Sequence, residues 1–234
     1  ECTGKFKDKK DAQQHIEAGA KKVIISAPSP DPDATIVFGV NHDTLKDSDR
    51  IVSVGSCTTN ALAPVVKVIN DAFTIEQGYM TTIHAYSNDQ TIIDNRHSDP
   101  RRARACGLSM IPTSTGAAKA IGIVLPELSG KLSGSAIRVP TPNVSMVDLT
   151  MALKTEVSEK EINEAVFKKS KEDMRGILAV AETKLVSIDF NHNPHSSIFD
   201  PFETHVNKSL VRVVSWYDNE WGFSNRMIDV AKLM

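Results

Sequence analysis

Val54-Gly55-Ser56-Cys57-Thr58-Thr59-Asn60-Ala61-Leu62-Ala63-Pro64 divides the chain into two halves of different pattern. A strand-like approach meets small polar residues and then an apolar run with helical spacing, the signature of a strand-to-helix turn. A cysteine in the first turn of such a helix lies near unpaired N–H groups, and the helix dipole there favours the thiolate. Pro64 competes with this reading. An interior proline costs a helix roughly 3 kcal/mol, so a helix beginning at Pro64, with Cys57 in a loop, fits the same letters. Most cysteines are small core residues, and the segment alone leaves both alternatives open.

Upstream, Ala12, His15 and Ile16 recur at helical spacing and stop at Gly19. Residues 22–26 then read as a short strand, and residues 35–40 as another after Pro28, Pro30 and Pro32. This is the alternation of an α/β unit. None of the twelve glycines forms a G-x-G pair, so these 234 residues lack the glycine-rich turn that seats a dinucleotide pyrophosphate. Downstream of Cys57 strands outnumber helices. Residues 79–85, 135–139, 144–153, 185–190 and 210–217 are the strand candidates, and they predict a large, mainly antiparallel sheet covered by helices. Ser158-Glu159-Lys160-Glu161 is a capping box ahead of Ile162, Ala165 and Val166, and Ser224 is the expected cap of a last helix.

Composition narrows the function classes. Lys plus Arg total 27 against 29 Asp plus Glu, a net charge of −2 without the strong positive field of a nucleic-acid binder. With 41% hydrophobic residues, a chain of this length buries enough surface to fold without disulfides or a structural metal. No apolar run approaches the roughly 20 residues that span a bilayer, and no signal-peptide pattern opens the chain. Cys2, Cys57 and Cys106 form no closely spaced pair, which argues for a reducing compartment and against a zinc cluster.

His84 is the best candidate base among seven histidines, because it ends a strand and opens the polar loop Tyr86-Ser87-Asn88-Asp89-Gln90. Paired with a thiolate, its imidazolium can shuttle a proton near neutral pH; taken alone, it reads first as a surface or hydrogen-bonded structural histidine. His192 and His195 lack a third ligand at useful spacing and belong to a loop rather than a metal site. Arg101, Arg102, Arg104 and Arg138 supply guanidinium forks for phosphate oxygens, and Thr115-Gly116 ahead of Ala117-Ala118 reads as a helix start facing an anion.

Six ordered motifs then converge: Ser56-Cys57-Thr58-Thr59-Asn60, Thr82-Ile83-His84-Ala85-Tyr86 with Asp89-Gln90, Arg101-Arg102-Ala103-Arg104-Ala105, Ser114-Thr115-Gly116-Ala117-Ala118-Lys119-Ala120, Arg138-Val139-Pro140-Thr141-Pro142-Asn143-Val144-Ser145, and Ser215-Trp216-Tyr217-Asp218-Asn219-Glu220. With these the chain closely resembles glyceraldehyde-3-phosphate dehydrogenase of the phosphorylating, bacterial type, over essentially its whole length. The resemblance implies a homotetrameric, cytoplasmic enzyme of glycolysis. Such an enzyme uses NAD and inorganic phosphate to turn a small phosphorylated aldehyde into an acyl phosphate, with no membrane or nucleic-acid partner. It implies Cys57 as nucleophile and His84 as acid/base. Ser87, Asp89, Arg102 and Arg138 are then expected at the substrate phosphate, Ser56, Thr58, Thr115 and Gly116 at the attacking phosphate, and Asn219 at the nicotinamide.

The same resemblance implies a division into residues 1–56, the tail of a dinucleotide-binding domain of Rossmann type whose glycine-rich opening is absent, residues 57–220, the catalytic domain, and residues 221–234, a helix packing back on the cofactor domain. Two positions depart from the family pattern: Ala61 replaces a second cysteine, and Phe223 replaces a common tyrosine. Because the ribose-reading residue is absent, the motifs do not separate NAD from NADP. Erythrose-4-phosphate dehydrogenase is the nearest rival, a non-catalytic phosphate-binding fragment is a second reading, and a cysteine hydrolase a third that leaves the arginines and Asn219 without a role.

Overall fold

The computed structural model describes all 234 residues. Helix α1 (Lys9–Glu17) opens on Asp8, whose carboxylate accepts from Asp11 N at 2.8 Å. Three short strands follow, β1 (Val23–Ile25), β2 (Ala34–Thr35) and β3 (Ile51–Ser53), in a parallel sheet of order β1-β3-β2. The strand expected over 35–40 leaves the ladder after Thr35. The Asn41 side chain accepts from Val37 N at 2.8 Å and donates to Thr35 O at 2.9 Å, closing a local loop in place of strand pairing.

Helix α2 runs Cys57–Phe73 with Pro64 inside it, so Cys57 is the first helical residue and the alternative start at Pro64 is excluded. Gly55, at φ 69°, makes the reversal out of β3 that a side chain resists. Ser56 caps the helix by accepting from Thr59 N at 3.0 Å. Burial outweighs the proline: Leu62, Val65, Val66 and Ile69 are at most 2% exposed, and each is worth about 1.5–3 kcal/mol against roughly 3 kcal/mol for the break.

The remaining elements are β4 (Ile75–Ala85), β5 (Ile111–Ser114), α3 (Ala117–Val124), β6 (Leu132–Val139), β7 (Ser145–Leu153), α4 (Glu159–Lys171), β8 (Leu178–Val180), β9 (Ser197–Asn207), β10 (Leu210–Tyr217) and α5 (Trp221–Leu233). Seven strands form one sheet of order β5-β6-β4-β7-β10-β9-β8, antiparallel except for the β4–β6 and β8–β9 pairs. Helices α2, α3 and α4 bury one face of it. Along β7 the inward set Ser145, Val147, Leu149, Met151 and Leu153 alternates with half-buried residues. The opposite face has no helix; there Arg212 grips Asp148 through a forked contact of 2.8–3.1 Å, and Tyr79 is 53% exposed.

Two expectations need correction here, and one strand is added. Residues 185–190 are not a strand: the Asp189 carboxylate accepts from Val186 N at 2.9 Å and closes a single 3-10 turn, Ser187–Phe190. The strand between β8 and β10 is β9, hidden in the sequence by Pro201 and a polar second half. Ser224 does not cap the last helix. Asp218 does, its carboxylate accepting from Glu220 N and Trp221 N at 2.9 and 2.8 Å, while Ser224 Oγ donates back to Glu220 O.

Val230 of α5 packs with Ile36, Val52 and Val54 against the small sheet. The helix start lies so close to the turn before β9 that a β-carbon on Gly222 would sit 2.7 Å from His195 O. Gly222→Ala is therefore expected to destabilise the fold by about 1–3 kcal/mol; an unchanged urea midpoint shows that the turn yields freely.

Candidate active site

The parallel pairing of β4 and β6 places His84 opposite Arg138 in register, and the start of α2 brings Cys57 over both. Cys57 Sγ lies 3.6 Å from His84 Nε2. On the other side of the ring, Nδ1 is 2.7 Å from Ala85 O, which also accepts from Arg138 Nη1 at 3.0 Å. Arg138 Nη1 also sits 2.5 Å from Nδ1. Nδ1 donates to Ala85 O in one tautomer and accepts from Arg138 Nη1 in the other; the first leaves a bare Nε2 toward the thiol and is the one that proton transfer from Cys57 requires.

Burial sets the charge state. It pushes the Cys57 thiol above its ordinary value, with the Thr58 hydroxyl and Arg138 guanidinium opposing. It also pushes His84 down to about 4, and Arg138 adds to that fall. Desolvation at Cys57 therefore opposes the helix dipole, which favours the thiolate, and at His84 it favours the neutral imidazole. Cys57 itself is only half-buried and keeps a path to solvent through the cavity it lines.

That cavity measures about 230 Å³, and its walls include Ser56, Cys57, Thr58, His84, Thr115, Gly116 and Arg138. Seven of the residues singled out in the sequence therefore meet. Gly116 is the cap of α3, and Thr115 Oγ1 accepts from Ala117 N at 3.2 Å. Arg138 Nε is buried with no partner in the protein. An unpaired cationic donor beside hydroxyls and a helix start suits an anion.

Ser87, Asp89 and Arg102 are not in this cavity. Arg102 Nη1 is held by the Asp89 carboxylate and its Nε donates to Thr113 Oγ1 at 2.8 Å. Ser87 and Asp89 line an adjoining cleft of about 700 Å³ together with Thr3, Gly4, Cys106 and Glu220. Asn219 is 7% exposed, and its Oδ1 accepts from Ser145 Oγ at 2.7 Å. His192 stacks on Trp221 with ring centroids 5.4 Å apart, and His195 Nδ1 meets Asn193 Oδ1 at 2.8 Å. Neither belongs to a group of His, Cys, Asp or Glu able to hold a metal.

Tyr217 was not singled out for the site, yet it supports the floor. Its hydroxyl joins Thr58 and Thr82 at 2.9 Å each, and its ring meets His84 edge-on at 6.0 Å. Burial pushes the phenol well up and keeps it neutral. Counting by twos from Val211 through Val213 and Ser215 turns Tyr217 inward and is the signal that finds it. Asp218 has no such signal: its carboxylate gathers Asn143 Nδ2, His192 N, Glu220 N and Trp221 N from three segments.

The family model described as glyceraldehyde 3-phosphate dehydrogenase, C-terminal domain, matches residues 56–219. The chain is 57% identical to glyceraldehyde-3-phosphate dehydrogenase of Xanthobacter flavus, with all of this chain and 70% of that protein aligned. It is 57% identical to glyceraldehyde-3-phosphate dehydrogenase 2 of Bacillus subtilis (99% of this chain, 69% of the relative). The corresponding enzyme of Mycobacterium leprae is 56% identical (100% and 69%). No helix is long and apolar enough to cross a membrane.

Proposed function

The chain belongs to the glyceraldehyde-3-phosphate dehydrogenase family, and from that membership we propose that its Cys57 cavity oxidises and phosphorylates the aldehyde carbon of glyceraldehyde 3-phosphate. The observation that carries this reading is the 3.6 Å approach of Cys57 Sγ to His84 Nε2 above an unpaired Arg138 Nε. As Cys57 Sγ adds to the aldehyde carbon, its proton passes through His84 Nε2 to the carbonyl oxygen, giving the hemithioacetal. NAD, when bound, would supply the acceptor for the hydride on that carbon, while His84 takes the hydroxyl proton and the thioester is left on Cys57. A phosphate oxygen then attacks the thioester carbon, the C–S bond breaks, and the departing Cys57 sulfur regains its proton through His84. The product is an acyl phosphate.

Ser56, Thr58, Thr115 and Gly116 are the proposed cradle of the attacking phosphate. Ser87, Asp89, Arg102 and Arg138 are assigned to the substrate's own phosphate, with Arg102 exchanging Asp89 for that anion. Asn219, whose amide nitrogen has no partner in the protein, fits the nicotinamide carboxamide. Residues 1–56 are read as the tail of the NAD-binding domain, 57–220 as the catalytic domain, and 221–234 as the helix that returns to the former, a division supported by Val230 packing on Ile36, Val52 and Val54. A cytoplasmic homotetramer is the proposed assembly. The sheet face without helices and the exposed Ile92, Ile93, Leu108 and Met110, in the connection 86–110 between β4 and β5, supply apolar surface for other copies of the chain.

The thiol chemistry is testable without NAD. An activated aryl ester acylates a reactive cysteine, releasing the aryl alcohol and leaving the same kind of thioester. The expected result is a burst of about one equivalent, followed by turnover that inorganic phosphate accelerates at least about tenfold over water, with acyl phosphate as product. Turnover indifferent to phosphate overturns the reading in favour of a hydrolase.

A further inference from the structure

Ser145 lies between the catalytic strand and the cofactor side chain. It opens β7, is 1% exposed, accepts from Ala85 N at 3.0 Å and donates to Asn219 Oδ1 at 2.7 Å. The Ala85 N–H can only donate, so it occupies an acceptor position on Ser145 Oγ. The hydroxyl has one proton and must spend it on an acceptor. Its cross-strand partner Tyr217 is already engaged with Thr58 and Thr82 at 2.9 Å each, and the contact Ser145 Oγ donates to is Asn219 Oδ1 at 2.7 Å. Asn219 therefore presents its oxygen to Ser145. The amide nitrogen is left without a protein partner and is not sealed from solvent.

We infer that Ser145 is a positioning residue that sets which end of the Asn219 amide meets the cofactor, making Asn219 a donor to a carbonyl oxygen. This rests on the reading of Asn219 as the contact for the nicotinamide carboxamide. Asp218 reinforces it from the adjacent residue, because four donors on one buried carboxylate fix the backbone from which Asn219 projects. Ala85 connects the device to the base: its N–H is held by Ser145 while its carbonyl lies 2.7 Å from His84 Nδ1. A ligand carbonyl is then recognised without the amide having to choose between two orientations.

The test uses the isotopically labelled chain and NMR. In the wild type, the Asn219 Nδ2 protons are expected to show no strong Overhauser contact to the Ser145 β-protons; a strong contact places nitrogen against Ser145 and overturns the inference without any variant being made. Nicotinamide mononucleotide is then compared with its 3-acetylpyridine and 3-aminopyridine analogues, which keep only an acceptor or only a donor. The wild type is expected to prefer the acetyl over the amino analogue about fivefold to tenfold, the scale of one neutral hydrogen bond. In Ser145→Ala, where the amide turns freely, the ratio is expected to fall to within about twofold. A ratio unchanged in a folded Ser145→Ala overturns the inference, since a merely structural serine leaves it alone. If none of the three ligands shifts the Asn219 resonances, the reading of Asn219 as nicotinamide contact fails, a result distinct from failure of the orientation.

Discussion

Cys57→Ala is expected to eliminate the aryl-ester burst and to lower aldehyde oxidation by about 10⁴-fold or more, the scale on which loss of a covalent nucleophile acts. No neighbour can substitute. Cys2, exposed, and Cys106, buried, both line the other cleft and not the Cys57 cavity. The fold should survive, because alanine is a better helix former than cysteine and Cys57 is only half-buried at the first position of α2. Unchanged circular dichroism therefore serves as the control, and a full burst in the variant removes Cys57 from the mechanism. In the wild type, iodoacetamide labelling of Cys57 is expected to accelerate with pH and to level off above the range of an ordinary thiol, since burial opposes the thiolate. Rapid labelling that is flat from pH 6 upward shows instead a resting thiolate.

The second large effect belongs to His84. His84→Asn is expected to slow acylation by about 10²–10⁴-fold, the usual contribution of a positioned acid/base, and to change how stability depends on pH. His84 is 5% exposed and held at about 4 by burial and Arg138, below the ordinary histidine value near 6.5. A histidine depressed in the folded state binds its proton more readily when unfolded, so stability rises with pH across this window. The contribution is fully present above about pH 6.5 and is lost as pH falls toward 4, amounting to roughly 3 kcal/mol. Urea titrations should show this acid limb in the wild type and a shallower one in His84→Asn. Identical limbs in the two proteins show that His84 is not buried neutral.

Both residues were legible before any coordinates, but for different reasons and to different depths. Cys57 stood out because small polar residues separate a strand pattern from a helix pattern; whether the helix included it depended on Pro64, and only the packed surroundings of Leu62 to Ile69 decide that. His84 was visible as the end of a strand, whereas its partner Arg138 sits 54 positions away and meets it only because β4 and β6 pair in parallel register. Strand 197–207 escaped detection because Pro201 and a polar edge hide its period, and 185–190 misled because apolar letters there close a turn through Asp189. Arg102 shows the same limit: its charge was readable, but not that Asp89 would hold it outside the Cys57 cavity.

By itself the sequence determined the chemistry available to this protein: a thiol, an imidazole, guanidinium forks and helix starts rich in hydroxyls, arranged in motifs specific enough to identify a family. Those properties belong to side-chain type and short-range spacing, which a linear string contains. Only the tertiary structure decided that burial works against charge on both the thiol and the imidazole, that Ser145 Oγ meets Asn219 Oδ1, and that Asp218 rather than Ser224 starts the last helix. Charge state and hydrogen-bond direction depend on desolvation and on partners tens of residues away, and both arise only when the chain has folded around them.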